Sequence, residues 1–294
     1  MCAVYDAMDE EKVKVLIAKI GEKRELADID ILFVQKTLVH FLKSNPTLQE
    51  QLEKNFHAKS AAYKHVVKKV REQLRRSYGL FRGEKKVKER KELMELLSGK
   101  NWTHQQLGSL LLSHASTKER WQIYPELYRR LFAITGEPGK ILDLGCGLHP
   151  LSLSFMKLKK LHYHALDISE GEVTILKQFF SALEKNNPQF QGKAEVLDIT
   201  ETAQLSLLPE HDLSFLLKMT DILDKGRGHR KTEEVIKAVR ASFIVVSFPT
   251  ITMSGKKMNY PRRRWIELLC ERLGYAYDLI EFPTEIFYVV KKVR

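Results

Sequence analysis

The chain has 294 residues, 44% of them hydrophobic and 29% charged, and carries a formal net charge of +12. That length suits about two domains with a sizeable core, and the positive excess asks for a polyanionic partner while saying nothing about fold. Three scattered cysteines, Cys2, Cys146 and Cys270, exclude a disulfide framework and a metal knuckle, and neither a signal-peptide core nor an apolar run near ~18 residues is present. A soluble, cytoplasmic monomer in a reducing compartment is expected, with no metal site and no membrane partner.

Residues 1–104 read as a helical domain. Apolar residues recur at helical spacing in Val13, Leu16, Ile17 and Ile20, and again in Ile31, Leu32, Val34, Leu38, Phe41 and Leu42. Strand-like runs, Gly and Pro are scarce, which suits a small bundle. The charge is lopsided: between Lys59 and Lys91, thirteen Lys or Arg stand against three Glu. Solvated helix faces usually mix signs, so Lys68, Lys69, Arg71, Arg75 and Arg76 are assigned to an RNA-binding face. Tyr63, Tyr78 and Phe81 lie within it, either as stacking platforms for bases or as core.

From residue 105 to 294 strands and helices alternate. A helix is expected over 118–134, and just ahead of it stands His114-Ala115-Ser116-Thr117-Lys118-Glu119-Arg120. Ser116 and Glu119 have capping-box spacing, which would start the helix there. Arg120 then falls in the first turn, where a cation opposes the helix dipole unless an anion is bound nearby. It is either a ligand residue for a carboxylate or half of a surface ion pair.

Strands are expected over 140–145, 162–167, 194–198, 212–218, 242–248, 275–282 and 285–292, with a helix over 259–273. The last two strands are joined by Phe282-Pro283-Thr284, too short for a parallel crossover, so they pair antiparallel. The first strand breaks into Gly145-Cys146-Gly147, and Asp167 ends the next one. Glycines let the backbone turn sharply and approach a ligand, and a carboxylate one strand later accepts from ribose hydroxyls. A dinucleotide fold would want a third glycine where this chain has Pro150, so His149-Pro150-Leu151 reads as helix entry. S-adenosylmethionine, which has adenosine but no phosphate, is the better fit, and Arg120 would then receive its methionine carboxylate.

Further candidates follow along the chain. His162 and His164 share a strand face but have no third ligand in reach of a metal. Asp198, at the end of the third strand, either accepts from the adenine amino group or caps a helix. Lys218 and Met219, after the fourth strand, and Ser247, Phe248 and Pro249, at the end of the fifth, sit at strand ends that line the crevice of an open sheet. Lys218 either faces RNA or snorkels. The basic loop Lys225–Lys231 makes phosphate contacts or is simply solvated. Lys256, Lys257, Arg262 and Arg263, interleaved with Tyr260 and Trp265, suit an RNA backbone and an unstacked base, although Trp265 also suits a place in the core.

Taken together these motifs resemble the aminoglycoside-resistance 16S rRNA methyltransferases of the Arm/Rmt group. The resemblance runs from about His114 to the C-terminus and rests on several segments in matching order. They are Ser116–Arg120, Leu142–Leu148, Pro150-Leu151, Tyr163–Ile168, Phe215–Met219, Ser247–Pro249 and Ser254-Gly255-Lys256. It implies an α/β class I methyltransferase domain with a Rossmann-like, seven-stranded sheet whose last strand is antiparallel, behind an N-terminal all-helical domain. It also implies methylation of guanine N7 in the decoding region of 16S rRNA, on the assembled small subunit, with aminoglycoside resistance as the consequence. By the resemblance Arg120 would hold the donor carboxylate, with Gly145, Gly147 and Asp167 around the donor and Lys256 facing RNA; Cys146, Ile168, Asp198 and Lys218 are the further residues expected around the donor. Guanine N7 carries a free lone pair, so no general base is expected. The family usually has asparagine where this chain has His149, and the first hundred residues match it only as a basic helical extension. Another RNA, another ring nitrogen, or a non-catalytic RNA-binding assembly factor are the competing readings.

Overall fold

The computed structural model describes residues 9–78, 108, 109, 111, 112, 115–224, 228–252 and 256–292. The side chains of Arg76, Tyr78 and Ser116, and the expectations placed on Phe81, His114, residues 225–227, Ser254 and Gly255, lie outside the described residues. The chain divides into two compact units, residues 1–87 with 168–171, and residues 88–167 with 172–294.

Among the described residues the first unit holds four α-helices, α1 (Glu10–Gly21), α2 (Ile31–Lys43), α3 (Pro46–Lys54) and α4 (Ala61–Tyr78). Their starts have local causes. Asp9 accepts from the Glu11 amide at 3.1 Å and Asp30 from the Leu32 amide at 3.2 Å, while Pro46 presets φ for the first turn of α3. Val13, Leu16, Ile17 and Ile20 of α1 bury against Val34, Leu38, Phe41 and Leu42 of α2 and Val66, Val70 and Leu74 of α4. Ile31 and Leu32 break the expected pattern: they form the opening turn of α2 and remain 60% and 67% exposed. Tyr63 resolves as core, buried and edge-on to Phe56 with ring centroids 5.6 Å apart.

The second unit holds one seven-stranded sheet. Its strands are β1 (Lys140–Leu144), β2 (Leu161–Asp167), β3 (Phe190–Val196), β4 (His211–Leu217), β5 (Ala241–Pro249), β6 (Ala276–Glu281) and β7 (Glu285–Lys291). The order is β3-β2-β1-β4-β5-β7-β6, parallel through β5, with β7 inserted antiparallel between β5 and β6 as the short Phe282–Thr284 link demands. Both faces are covered, which is why the strands read as nearly continuous apolar runs. Ile141, Tyr163, Leu213, Phe215 and Val245 belong to the core on one face, with Leu127 and Leu131 of the helix Tyr124–Thr135. Leu142, Leu166, Leu216 and Val246 meet Val235, Ile236, Ile266 and Leu269 on the other. Strand order reverses between β1 and β4, and an open sheet of this kind binds ligands at the carboxyl ends of its strands there.

Local expectations change in three places. The helix expected over 118–134 is two, Ala115–Arg120 and Tyr124–Thr135, because Pro125 falls in the first turn of the second and cannot donate backward into a preceding turn. Ser116 therefore lies inside a helix rather than capping one, and Arg120 is the last residue of that helix, where its charge suits the dipole. Strand β3 starts at Phe190 rather than Ala194 and ends at Val196, so Asp198 lies beyond it. Gly192 disguises that start, yet a Cβ there would come within 2.4 Å of the Phe180 ring.

Candidate functional site

The turn after β1 depends on its two glycines. Gly145 and Gly147 adopt φ of 63° and 52°, the left-handed region that side chains disfavour. A Cβ on Gly145 would lie 2.6 Å from Cε of Met219, which covers the turn from the end of β4. The turn is stitched to the end of β2 by two bonds: the Cys146 amide donates to the Leu166 carbonyl at 3.0 Å and the Gly147 amide to Asp167 Oδ2 at 2.8 Å. Asp167 is thus placed by the same backbone it is expected to serve with. Burial, with Asp143, Asp167 and Glu172 nearby, pushes the Cys146 thiol well up, so it stays protonated and unreactive.

Behind the turn lies a buried polar network that no sequence motif announced. Asp143 Oδ2 bonds His149 Nδ1 at 2.8 Å and accepts from Tyr163 Oη at 2.7 Å. His149 Nε2 meets Tyr128 Oη at 2.9 Å, and Tyr128 Oη meets Ser152 Oγ at 2.5 Å. Burial pushes both phenols well above their ordinary range, so both remain proton donors. His149, where an asparagine was expected, uses both ring nitrogens to tie β1 to the helix Tyr124–Thr135. It is buried in the interior.

A second cluster gathers charge at the carboxyl edge. Arg120 and Glu285 are both buried, and the guanidinium meets the carboxylate side-on: Nε lies 3.0 and 2.9 Å from its two oxygens and Nη2 2.7 Å from Oε1. Lys218 Nζ is bonded to Glu119 and lies 3.4 Å from Glu285 Oε2. Burial alone would raise the Glu285 pKa, but Arg120 and Lys218 outweigh it and hold the carboxyl below the usual range. Burial likewise opposes the Arg120 charge and Glu285 overrides it. Lys218 has φ of 56°, uncommon outside glycine, and its amide donates to the carbonyl and Oγ of Ser247 on β5. Its ammonium is an internal ion-pair partner, so neither the RNA-facing nor the snorkelling alternative describes it. Glu285 was missed because it opens the apolar run Ile286–Val290; an acid at the head of a fully buried strand was the available signal.

Arg120, Gly145, Gly147, Asp167, Lys218, Met219 and Ser247 therefore meet at one sheet edge. Phe248 is buried and Pro249 pairs in register with Glu285. Two expected members make contacts of their own. The Ile168 side chain packs on the core of the helical unit, and its carbonyl accepts from the Asp30 amide. Asp198 accepts from the Thr200 amide and Oγ1 at 2.9 and 2.7 Å, in the turn leading into the helix Thr202–Ser206.

The basic residues divide in the same way. On α4, Lys68 is exposed and Lys69 pairs with Glu72, whereas Arg71 donates to the carbonyls of Lys19 and Ile20 at the end of α1 and Arg75 binds Glu25. In the second unit Lys256 and Lys257 are exposed, Arg262 pairs with Glu267, and Arg263 donates to the carbonyls of Tyr260, Pro261 and Pro249. Trp265 is a packing residue: it stacks on His229 at 4.0 Å and stands edge-on to Phe248 at 5.8 Å, while Tyr260 is 86% exposed.

Comparison with known proteins places this geometry in context. A relative from Frankia casuarinae called a 16S rRNA (guanine(1405)-N(7))-methyltransferase is 30% identical over 183 residues, 61% of either chain, so the match spans under two thirds of that relative. One of the same name from Proteus mirabilis is 23% identical over 249 residues, 78% of this chain and 85% of that one. Among solved structures, the 16S rRNA methyltransferase RmtF in complex with S-adenosyl-L-homocysteine superposes with a TM-score of 0.73 at 22% identity, covering 97% of this chain and all of the other. The methylase RmtB superposes at 0.67 with 20% identity, covering 96% and 98%. These likenesses carry the fold. The family model described as ribosomal RNA methyltransferase (FmrO) matches residues 43–289, most of the chain and all of the sheet but the last two residues of β7, and the protein accordingly belongs to that family.

Proposed function

We propose that this protein transfers the methyl group of S-adenosylmethionine to N7 of a guanine in the decoding region of 16S rRNA, acting in the cytoplasm as a monomer on the assembled small subunit. The observation that carries this reading is the convergence of the glycine turn, Asp167 and a buried cation cluster at the carboxyl edge of a sheet, in a member of an rRNA methyltransferase family. The residues present fit the donor. Gly145 and Gly147 carry the turn without a Cβ of their own, and Asp167 stands at the end of β2 for the ribose hydroxyls. Arg120 keeps Nη1 outside its fork with Glu285 for the donor carboxylate, and Asp198 is assigned to the adenine amino group.

The donor, when bound, supplies an electrophilic methyl on a sulfonium. The chain's own part is alignment and electrostatics. Lys218, Met219, Ser247, Phe248 and Pro249 shape the edge at which base and methyl meet. Guanine N7 has a lone pair at neutral pH, so no side chain has to remove a proton. Alanine at any one of these positions is expected to leave single-turnover methylation within about a hundredfold when donor and subunit affinity are intact; a thousandfold loss would reveal a general base. RNA contact is assigned to the basic helical unit through Lys68 and Lys69, and to Lys256 and Lys257. Arg71, Arg75, Arg262 and Arg263 serve mainly to hold their own loops and helices together. Modification at this site would confer aminoglycoside resistance.

The test is to incubate the protein and labelled donor with 30S particles, naked rRNA and tRNA, then map the product by borohydride and aniline cleavage, which requires N7-methylguanine. Labelled 30S particles with a cleavage stop in the decoding region are expected. Label without cleavage would mean another ring nitrogen, label on tRNA another substrate, and no label with bound protein a non-catalytic assembly factor.

A further inference from the structure

Three charged side chains are buried together at the site's edge: Arg120 is 2% exposed, Lys218 9% and Glu285 0%. They come from the end of a helix, the residue after β4 and the first residue of β7. A buried ion pair gives little stability for its desolvation cost, and apolar residues of similar volume would serve the core as well. The contact geometry gives the trio a different use. Glu285 takes Arg120 side-on through Nε and Nη2, which fixes the plane of the guanidinium and leaves Nη1 outside the fork. The same carboxylate lies 3.4 Å from Lys218 Nζ, so it sets the separation of two cations. With half-exposed Glu119 bonded to Lys218, two cations face two carboxylates, and Glu285 is the carboxylate that is buried with them.

We infer that Glu285 is a positioning residue for the methyl donor: it holds Arg120 in plane and beside Lys218 so that the remaining edge of the guanidinium receives the amino-acid carboxylate of S-adenosylmethionine. The inference rests on the donor reading given above. Glu285 is thereby assigned to the amino-acid end of the ligand, through Arg120, and a selective loss at that end sets it apart from a residue that merely keeps the domain folded.

The experiment is calorimetric titration of the full chain and its variants with two probes. S-adenosylhomocysteine carries the amino-acid carboxylate, and 5′-methylthioadenosine has the adenosine and sulfur without it. Glu285→Gln keeps volume and removes charge, and is expected to weaken S-adenosylhomocysteine about tenfold or more, the size of a lost charged contact, while leaving 5′-methylthioadenosine within about twofold. Glu285→Asp keeps the charge with a shorter reach and provides a second variant if the first is unstable, with the same selective loss expected. Arg120→Lys should lose the same selectivity, and combining it with Glu285→Gln should cost no more than either alone, because both act through one contact. Unchanged S-adenosylhomocysteine affinity in Glu285→Gln, or equal loss of both probes in both Glu285 variants, overturns the inference while leaving the donor reading intact. A wild-type protein that binds neither probe overturns the donor reading, and the inference with it.

Discussion

Replacing Gly145 by alanine isolates what the glycine turn requires of its sequence. Two costs are separable. Holding a residue with a Cβ at φ of 63° costs about 1–2 kcal/mol against glycine. The added Cβ also stands 2.6 Å from Cε and 2.7 Å from Sδ of Met219, inside contact distance, so the methionine has to leave its rotamer for a further ~1 kcal/mol. Gly145→Ala should therefore lose about 2–3 kcal/mol in urea unfolding and bind S-adenosylhomocysteine much more weakly, since Met219 shifts at the ligand edge. Met219→Ala removes the obstacle. The double variant Gly145→Ala/Met219→Ala should recover the steric part, giving a coupling of about 1 kcal/mol, and retain the backbone part. A Gly145→Ala protein as stable as wild type, or a double variant whose losses simply add, would refute the account of the turn.

Other expectations follow from single contacts. Asp167→Ala leaves the buried Gly147 amide without this acceptor and should cost about 1–3 kcal/mol of stability along with most of the affinity for both S-adenosylhomocysteine and 5′-methylthioadenosine, read by unfolding and calorimetry. On α4, Arg71→Ala should lower the melting temperature because it frees the carbonyls ending α1, whereas exposed Lys68→Ala should leave melting unchanged and weaken 30S binding with a shallower salt dependence. His211 gives a pH signature: burial, then the charge of His164, pushes its pKa down to about 4 from 6.5, and its Nδ1 is buried without a partner. The unfolded chain then binds a proton that the folded one refuses, so stability falls as pH drops from about 6.5 to about 4. The loss is at most about 3 kcal/mol, nearer 2 with solvent screening, and His211→Phe should flatten that limb of the stability–pH curve.

The sheet was legible in the chain because its signals are local. Apolar runs of strand length and the three-residue Phe282–Thr284 link that forces an antiparallel return act within a few residues of themselves, and the Gly145–Gly147 turn reaches Asp167 at a fixed spacing one strand on. Where a partner lies on a neighbouring element, local reading fell short. Gly192 hid the start of β3 because its reason is the Phe180 ring on the helix Glu170–Asn186, whereas Pro125, a local signal, splits a helix that periodicity alone would run straight through.

Charged side chains show the division most plainly. Composition and motif order determined that this chain carries an adenosine-type turn, an arginine suited to a carboxylate and a surplus of positive charge. Only the tertiary structure decided how each charge is used. Arg71 and Lys218, alike in sequence to solvated basic residues, turn inward to carbonyls and carboxylates, and Arg120 finds Glu285 from 165 positions away. A charge's role depends on the burial and partners that surround it in space, and for these residues both come from distant segments that no spacing rule connects.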